Sequence, residues 1–336
     1  MGEVILTMKD IDKSFPGVHA LDHVNFEVKR GEVHALMGEN GAGKSTLMKV
    51  LTGIYQKDSG TITYKGKETE FHNTREAQDA GVVIVHQELN MIGDLTVAQN
   101  IFIGREPKKG IRVDDKKMIE DSKKLFQDLN IEIDPREKMS NLTVGKQQMC
   151  EIAKAISHKA EVIIFDEPTS SLSDNEVEAL FRIMNDLRDK GVAMVYISHK
   201  MDEIKRIADD ITIMRDGTYV GTRPAAELTT DQIIAKMVGR ELTNVYPPKE
   251  NKPGEVIMEV KDLCSIHEKS FQHVSFQLRK GEILGFGGLV GAQRTELMEG
   301  IFGIRGVASG EIYMHGKKTR IKHPIDAMNA GIGLIT

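Results

Sequence analysis

Short apolar runs, each ending at glycine or at charge, set the rhythm of this chain. VHALM (33–37) predicts a strand, and LMKVLTG (47–53) continues beyond a glycine-rich loop at the spacing of an amphipathic helix. VVIV (82–85), EVIIF (161–165) and AMVYI (193–197) predict further strands. Helical spacing returns in NLTVGKQQMCEIAKAI (141–156), which runs out of a short polar loop. DDKKMIEDSKKLFQDLN (114–130) is amphipathic, with its charges on a solvated face, and SDNEVEALFRIMNDLRDKG (173–191) reads as a capped helix that stops at Gly191. TTDQIIAKMVGREL (229–242) closes a first domain, 1–243. NVYPPKENKPGE (244–255), with Pro247, Pro248 and Pro253, predicts an extended linker.

After the linker the pattern starts again. VILTMKDI at 4 parallels VIMEVKDL at 256, and VNFEVKRGEVHALMG at 24 parallels VSFQLRKGEILGFGG at 274. LMKVLTGIYQKDSGTITYKGK at 47 parallels LMEGIFGIRGVASGEIYMHGK at 297. Self-similarity at this length means a duplicated domain, and 256–336 is the N-terminal part of a second copy. Composition agrees with two domains: 336 residues, 40% hydrophobic and 28% charged. A net charge of −5 gives no global case for nucleic acid. Cys150 and Cys264, far apart and without metal-ligand spacing, read as reduced, buried small hydrophobes. No apolar run approaches the ~20 residues that span a bilayer, and the start lacks a signal-peptide pattern, so a membrane role is expected to be peripheral.

The chemistry concentrates in GENGAGKST, which fits G-x-x-x-x-G-K-[ST] in full. Gly38, Gly41 and Gly43 let backbone N–H groups close around phosphate oxygens, with Glu39, Asn40 and Ala42 between them. Lys44 is expected to reach the β- and γ-phosphates of ATP and Ser45 to ligate Mg²⁺, with Thr46 the last nucleotide-binding residue of the loop. EVIIFDEP (161–168) ends a strand in adjacent carboxylates. Asp166 is expected to hold Mg²⁺, and Glu167 to polarise the attacking water as general base.

In order along the chain, GENGAGKS, VHQE, LTVGKQQ, IIFDEPTSSL and YISH resemble the ATP-binding subunits of ABC transporters. That resemblance implies an α/β fold: a P-loop NTPase core with an antiparallel β subdomain and a helical subdomain, followed by a partial second copy. It implies that Phe15 stacks on adenine, that Gln87 touches Mg²⁺ or its water and faces the membrane subunits, and that His199 meets the γ-phosphate. Leu142, Thr143, Val144, Gly145, Lys146 and Gln147 match the signature motif, which contacts ATP held by an opposite domain. Val144 and Lys146 depart from the usual LSGGQ, and Ser173 stands where an Asp commonly sits.

In the second copy, at an offset of 250 residues (288 − 38), GGLVGAQRTELM (287–298) falls on the phosphate loop. Gly288 and Gly291 are kept, but Gln293 replaces the last glycine, Arg294 the lysine and Thr295 the serine. Gln293 is expected to hinder close backbone wrapping. The same offset gives the second copy no counterpart of Gln87, the signature, the acidic strand or the switch histidine. GIGLIT (331–336) reads as a buried strand, and a core left open there implies a piece of a longer tandem chain. This layout resembles the tandem ATPase subunits of monosaccharide importers of the ribose and galactose/methyl-galactoside type.

The resemblance implies a peripheral protein on the cytoplasmic face of the cell membrane. Its partners would be permease subunits and, through them, a substrate-binding protein, with no nucleic acid. Its ATP sites would need the rest of the second domain or another copy to be complete, with one hydrolytic site and one degenerate. A soluble tandem ATPase acting on the ribosome predicts a long charged insert between the copies, unlike the short proline-bearing linker here. A nucleotide-binding module without appreciable turnover is the other alternative.

Overall fold

The structure, a computed structural model, describes residues 2–87, 89–239, 251–289 and 291–335. It forms two compact units, Met1–Thr243 and Asn244–Thr336. Of the expected linker 244–255, residues 244–250 lie outside the described residues.

The first unit opens with β1 (Val4–Phe15) and β2 (Val18–Lys29), an antiparallel pair turned at Pro16 and Gly17, where Gly17 has φ 83°. β3 (Val33–Met37) leads into the glycine loop and α1 (Lys44–Leu51). β4 (Ser59–Tyr64) and β5 (Lys67–Glu68) extend the antiparallel layer beside β1, and α2 (Thr74–Ala80) returns the chain to β6 (Val82–Val85). A mostly helical insert follows: α3 (Val97–Phe102), the small hairpin β7 (Lys108–Lys109) and β8 (Arg112–Val113), α4 (Asp115–Asp128), then α5 (Val144–Ile156). The chain re-enters the sheet at β9 (Val162–Asp166) and continues through α6 (Asp174–Asp189), β10 (Ala193–Ile197) and α7 (Met201–Ile207). It closes with β11 (Asp210–Arg215), β12 (Thr218–Pro224) and α8 (Thr230–Val238).

Ten strands form one sheet in the order β5-β4-β1-β2-β12-β11-β3-β10-β9-β6. Its working part is parallel: β10 pairs with β3 and β9, and β9 with β6. β3 and β10 are buried at every position, as strands covered on both faces must be. On one face Leu47, Met48 and Leu51 of α1 pack on Leu36, Ile164 and Val195. On the other, Met149 and Ile152 of α5 and Leu180 and Phe181 of α6 meet Ile163, Phe165 and Tyr196. A separate cluster (Val97, Ile101, Phe126, Cys150, Ala153) holds the helical insert together. Burial pushes the Cys150 thiol up to about 12, in keeping with a core hydrophobe.

The parallel pairing sets the carboxyl ends of β3, β6, β9 and β10 side by side, where open α/β sheets bind their ligands.

In the second unit β13 (Val256–Ser265), β14 (Val274–Arg279), β15 (Val307–Met314) and β16 (Lys317–Thr319) form an antiparallel sheet in the order β14-β13-β15-β16. Two helices, α9 (Arg294–Phe302) and α10 (Pro324–Asn329), accompany it. Leu297 and Ile301 of α9 pack on Met258, Val260, Leu263 and Ile312.

Two stretches depart here from the pattern of the first unit, and the second overturns a sequence expectation. Residues 283–287, the counterpart of β3, form no strand, and Ile283 is 94% exposed. Nor do 331–335, the presumed buried strand, in which Ile335 is 99% exposed. The reason is missing partners. β3 bonds to β10 and β11, and β6 to β9. Among the described residues of the second unit no strand plays either part, so these backbone groups face water instead of a ladder.

Candidate functional site

The turn from β3 into α1 builds the first wall of the site. Gly43 caps α1 in left-handed backbone, φ 96°, with no side-chain cap on the helix. A Cβ there would come within 2.7 Å of Ala20 O and 2.9 Å of the Leu21 side chain, so glycine is required by space as well as by φ. A Cβ on Gly38 would lie 2.5 Å from Met214 O. The loop is closed by Ala42 N–H donating to Glu39 O at 3.1 Å. Lys44 Nζ folds back across it, donating to Gly38 O at 2.8 Å and Glu39 O at 2.9 Å. The start of α1 thus presents uncapped N–H groups and a cation, which together suit an anion.

The ends of the neighbouring strands supply the other wall. Asp166 ends β9, and Ser45 Oγ donates to its Oδ2 at 3.4 Å. Glu167 follows in left-handed backbone, φ 50°, held by its N–H to Ile197 O at 2.9 Å. Such a conformation costs a side-chain-bearing residue about 1–2 kcal/mol, and its persistence here aims the carboxylate into the cleft. Gln87 Nε2 lies 3.5 Å from Glu167 Oε2, and His199 Nδ1 lies 3.1 Å from Glu167 Oε1. The cleft between these walls has a volume of about 750 Å³. Phe15, Lys44, Ser45, Thr46, Gln87, Asp166 and Glu167 line it.

Its electrostatics are those of opposed charges held away from water. Burial raises the Asp166 carboxyl above its ordinary range and the Glu167 charge adds to this, while Ser45 opposes it. Burial lowers the Lys44 ammonium, and Asp166 and Glu167 oppose that shift. A polyanion against Lys44 and a hard divalent cation against Asp166 would each favour the charged form. The oxygen-rich set of Ser45, Asp166 and the Gln87 amide has the chemistry of a magnesium site.

Phe15, which lines the cleft, is edge-on to Tyr55 with ring centroids 5.1 Å apart and with Lys13 Nζ 5.5 Å from its own centroid. The signature residues Leu142–Gln147 do not line this cleft. Thr143 caps α5 by accepting from Lys146 N–H at 3.4 Å, and Gln147 donates to Met139 O and Leu142 O. Val144 is 53% exposed at the helix start. Gly145 lies so close to Glu176 that a Cβ would come 2.4 Å from Glu176 Oε2, the oxygen that accepts from Ser173 N and Oγ at 2.8 Å. The signature helix and the cap of α6 are therefore locked together.

Sequence reading missed one buried network beside the site. Glu203 of α7 accepts through Oε2 from Tyr196 Oη at 2.8 Å, Thr169 Oγ1 at 2.8 Å and Ser198 Oγ at 3.1 Å. Its Oε1 faces Lys200 Nζ at 3.1 Å. Burial raises this carboxyl, but the bonds from Tyr196, Lys200 and Thr169 outweigh it, and the net shift is downward. The carboxylate ties the segment after Glu167 to both neighbours of His199. Its only sequence signal was an acid inside the apolar spacing of the helix after YISH.

The second-copy loop keeps more of the backbone than Gln293 led one to expect. Gln293 adopts left-handed backbone, φ 62°, at the cap of α9, as Gly43 does at α1. Ala292 N–H donates to Leu289 O at 3.0 Å, matching the Ala42–Glu39 turn. The difference lies in the side chains. Gln293 Oε1 accepts from Ser270 Oγ at 3.0 Å and its Nε2 donates to Gly291 O at 3.2 Å. Arg294 passes close over Gly288. Thr295 follows it in the first turn of α9.

The profile of the ABC transporter family matches residues 21–170. The chain is similar to the galactose/methyl galactoside import ATP-binding protein MglA of Clostridium tetani, 56% identical over 99% of this chain and 67% of that protein. It is likewise similar to the protein of the same name from Escherichia coli K12, 53% identical over the whole chain and 66% of that protein. The chain thus spans about two thirds of the length of these relatives. Among solved structures, an ATP-binding cassette of an ABC transporter in its ADP conformation matches with TM-score 0.60 and 26% identity, over 70% of this chain and 95% of that one. A nucleotide-free cassette matches with TM-score 0.63 over 74% of this chain and 100% of that one; at 24% identity it speaks for the fold alone.

Proposed function

The chain belongs to the ABC transporter ATP-binding family, and from that premise we propose that its first unit binds MgATP in the cleft under Lys44 and hydrolyses it to energise uptake of a monosaccharide, of the galactose/methyl galactoside class, through a membrane permease. The observation that carries this reading is the gathering of Lys44, Ser45, Gln87, Asp166 and Glu167 around one cleft, with His199 against Glu167, six residues from four places in the chain. No helix among the described residues is long and apolar enough to cross a membrane. Attachment at the cytoplasmic face through permease subunits, fed by a substrate-binding protein, follows the family.

The loop amides and Lys44 hold the triphosphate, with Phe15 against the adenine. Ser45, Asp166 and Gln87 would hold Mg²⁺, which would supply positive charge against the negative charge that develops during phosphoryl transfer. Glu167 Oε accepts a proton from the attacking water, and His199, in contact with Glu167, orients toward the γ-phosphate. The signature lies outside this cleft and acts in trans: Leu142–Gln147 serve a nucleotide held by a second ATPase domain, and such a domain completes the site at Lys44. The second-copy loop, with Gln293 and Arg294 in place of glycine and lysine, is the degenerate partner. Arg294 offers a guanidinium to phosphate, while the Gln293 side chain takes up space within the loop.

Glu167→Gln tests the assignment. In the assembled transporter MgATP should bind within about threefold of the parent affinity while turnover falls by about 10²–10⁴-fold. Turnover at the parental rate in this variant would remove Glu167 from the chemistry and with it the reading of the cleft.

A further inference from the structure

Cys264 departs from the expectation that it would be an isolated core thiol. It is buried, 6% exposed, yet its Sγ touches polar groups of a bulged hairpin. Asp262 and Cys264 stand two residues apart on β13, and His273 immediately precedes β14. The ladder between these strands breaks register between Val260 and Leu263. At the break Asp262 (φ 50°) and His273 (φ 53°) both take left-handed backbone, which turns their side chains toward each other. His273 Nδ1 lies 2.8 Å from Asp262 Oδ1 and 3.8 Å from Cys264 Sγ. The His273 N–H donates to Sγ at 3.2 Å. The three donor atoms all lie within 4.8 Å of one another.

The first unit contains the same hairpin with different donors. Ile11 pairs with Val24 as Leu263 pairs with Val274, so Asp12 matches Cys264 and His23 matches His273. There the His23 N–H donates to Asp12 Oδ2 at 3.3 Å, and His23 Nδ1 lies 3.7 Å from the same oxygen. Cys264 therefore occupies a place where the duplicate holds a carboxylate. The local backbone at that place is arranged to donate to an anion.

Separations decide whether a cation fits. A tetrahedral zinc ion with bonds of about 2.3 Å to sulfur and about 2.0–2.1 Å to nitrogen places those two atoms about 3.6 Å apart. The observed 3.8 Å needs almost no adjustment. Nitrogen and oxygen ligands would stand about 3.3 Å apart, so the Asp262–His273 pair must open by about half an ångström. Both side chains are well exposed, at 69% and 76%, and free to do so. A mixed sulfur, nitrogen and oxygen set selects zinc-class cations over magnesium.

We infer that Asp262, Cys264 and His273 form a binding site for one thiophilic divalent cation of the zinc class, with water in the fourth position. As the metal–sulfur bond forms, the Cys264 thiol releases its proton to solvent; the proton that His273 Nδ1 shares with Asp262 also leaves, the ring passing through solvent to its Nε2–H tautomer, and the His273–Asp262 hydrogen bond gives way to two metal–ligand bonds. The ion pins the start of β14 to the end of β13. The site lies wholly within the second unit and is independent of the nucleotide cleft.

The test is a Co²⁺ titration of the whole chain, without an affinity tag or nucleotide, followed by absorption in the near-ultraviolet and visible. One equivalent should bring up a thiolate-to-cobalt charge-transfer band with tetrahedral visible bands, both erased by one equivalent of Zn²⁺. Cys264→Ser should abolish the charge-transfer band, and His273→Gln should weaken binding at least about tenfold, each with an unchanged circular dichroism spectrum. Cys150→Ala should leave the band intact. A parent chain without the band overturns the site, as does a band that survives Cys264→Ser or disappears with Cys150→Ala. If Cys264→Ser disturbs folding, full affinity in His273→Gln overturns it equally.

Discussion

Glu203→Ala removes the carboxylate on which four donors converge. Tyr196 Oη, in a residue with no exposed surface, is left without that acceptor, at about 1–3 kcal/mol for a buried donor unsatisfied. Thr169 and Ser198 lose a bond to a charged acceptor but keep contacts with Lys200, so each costs less, about 1 kcal/mol. The sum is about 4 kcal/mol, near the top of the range for single substitutions. In a unit of this size that is about 8–16 °C in Tm. Urea unfolding monitored in the first unit, on Glu203→Ala, Tyr196→Phe and the double variant, measures it. Because Tyr196→Phe removes the orphaned hydroxyl, the double variant should be more stable than Glu203→Ala alone by about 1 kcal/mol. The parent should also lose this stabilisation as pH falls from the ordinary glutamate range toward the lower folded value, a slope absent from Glu203→Ala. A loss under about 1 kcal/mol, or effects of the two substitutions that simply add, would refute a network centred on this carboxylate.

His158 gives a second pH signature. Burial, helped by Arg105 and Lys154, holds its imidazole down to about 4, so between pH 6.5 and 4 the unfolded chain takes up a proton that the fold refuses. Unfolding midpoints should fall across that window, and His158→Gln should flatten the decline. Gly145→Ala pushes a methyl into Glu176 and should cost about 1–2 kcal/mol by denaturant unfolding, a loss reduced when Glu176→Ala is added. Gln293→Gly exchanges two side-chain hydrogen bonds for relief of a left-handed residue, so stability should change by less than about 1 kcal/mol. It should raise MgATP stoichiometry above the single equivalent expected of the parent, as calorimetry would register.

Two parts of the candidate site were legible because each is contiguous, whereas Phe15, Gln87 and His199 followed only from the resemblance. Gly38 to Thr46 encode loop, helix start and cation in nine residues, and Asp166 with Glu167 sits at the end of a strand that apolar content alone marks. What could not be read were contacts whose members lie on different elements. Glu203 meets Tyr196, Ser198 and Thr169 only once β10 and the end of β9 are adjacent. Gly145 is fixed by Glu176, 31 residues later (176 − 145), through side-chain atoms that no local pattern records. The missing strand at 283–287 has another cause. An apolar run gains strand structure from neighbours, and the sequence similarity between GEILGFGG and EVHALMG carried the run but not its partners. Gln293 shows the converse: the residue type argued against the left-handed turn, and the side-chain bonds to Ser270 and Gly291 help hold it there.

Calorimetric titration of MgATP into the chain, with Lys44→Ala alongside, tests the central claim most directly because it requires neither a permease nor turnover. The account predicts one equivalent bound by the parent and an affinity at least about 30-fold weaker in Lys44→Ala, as expected for loss of a partly buried cation against phosphate. Equal affinity in the two proteins would contradict it.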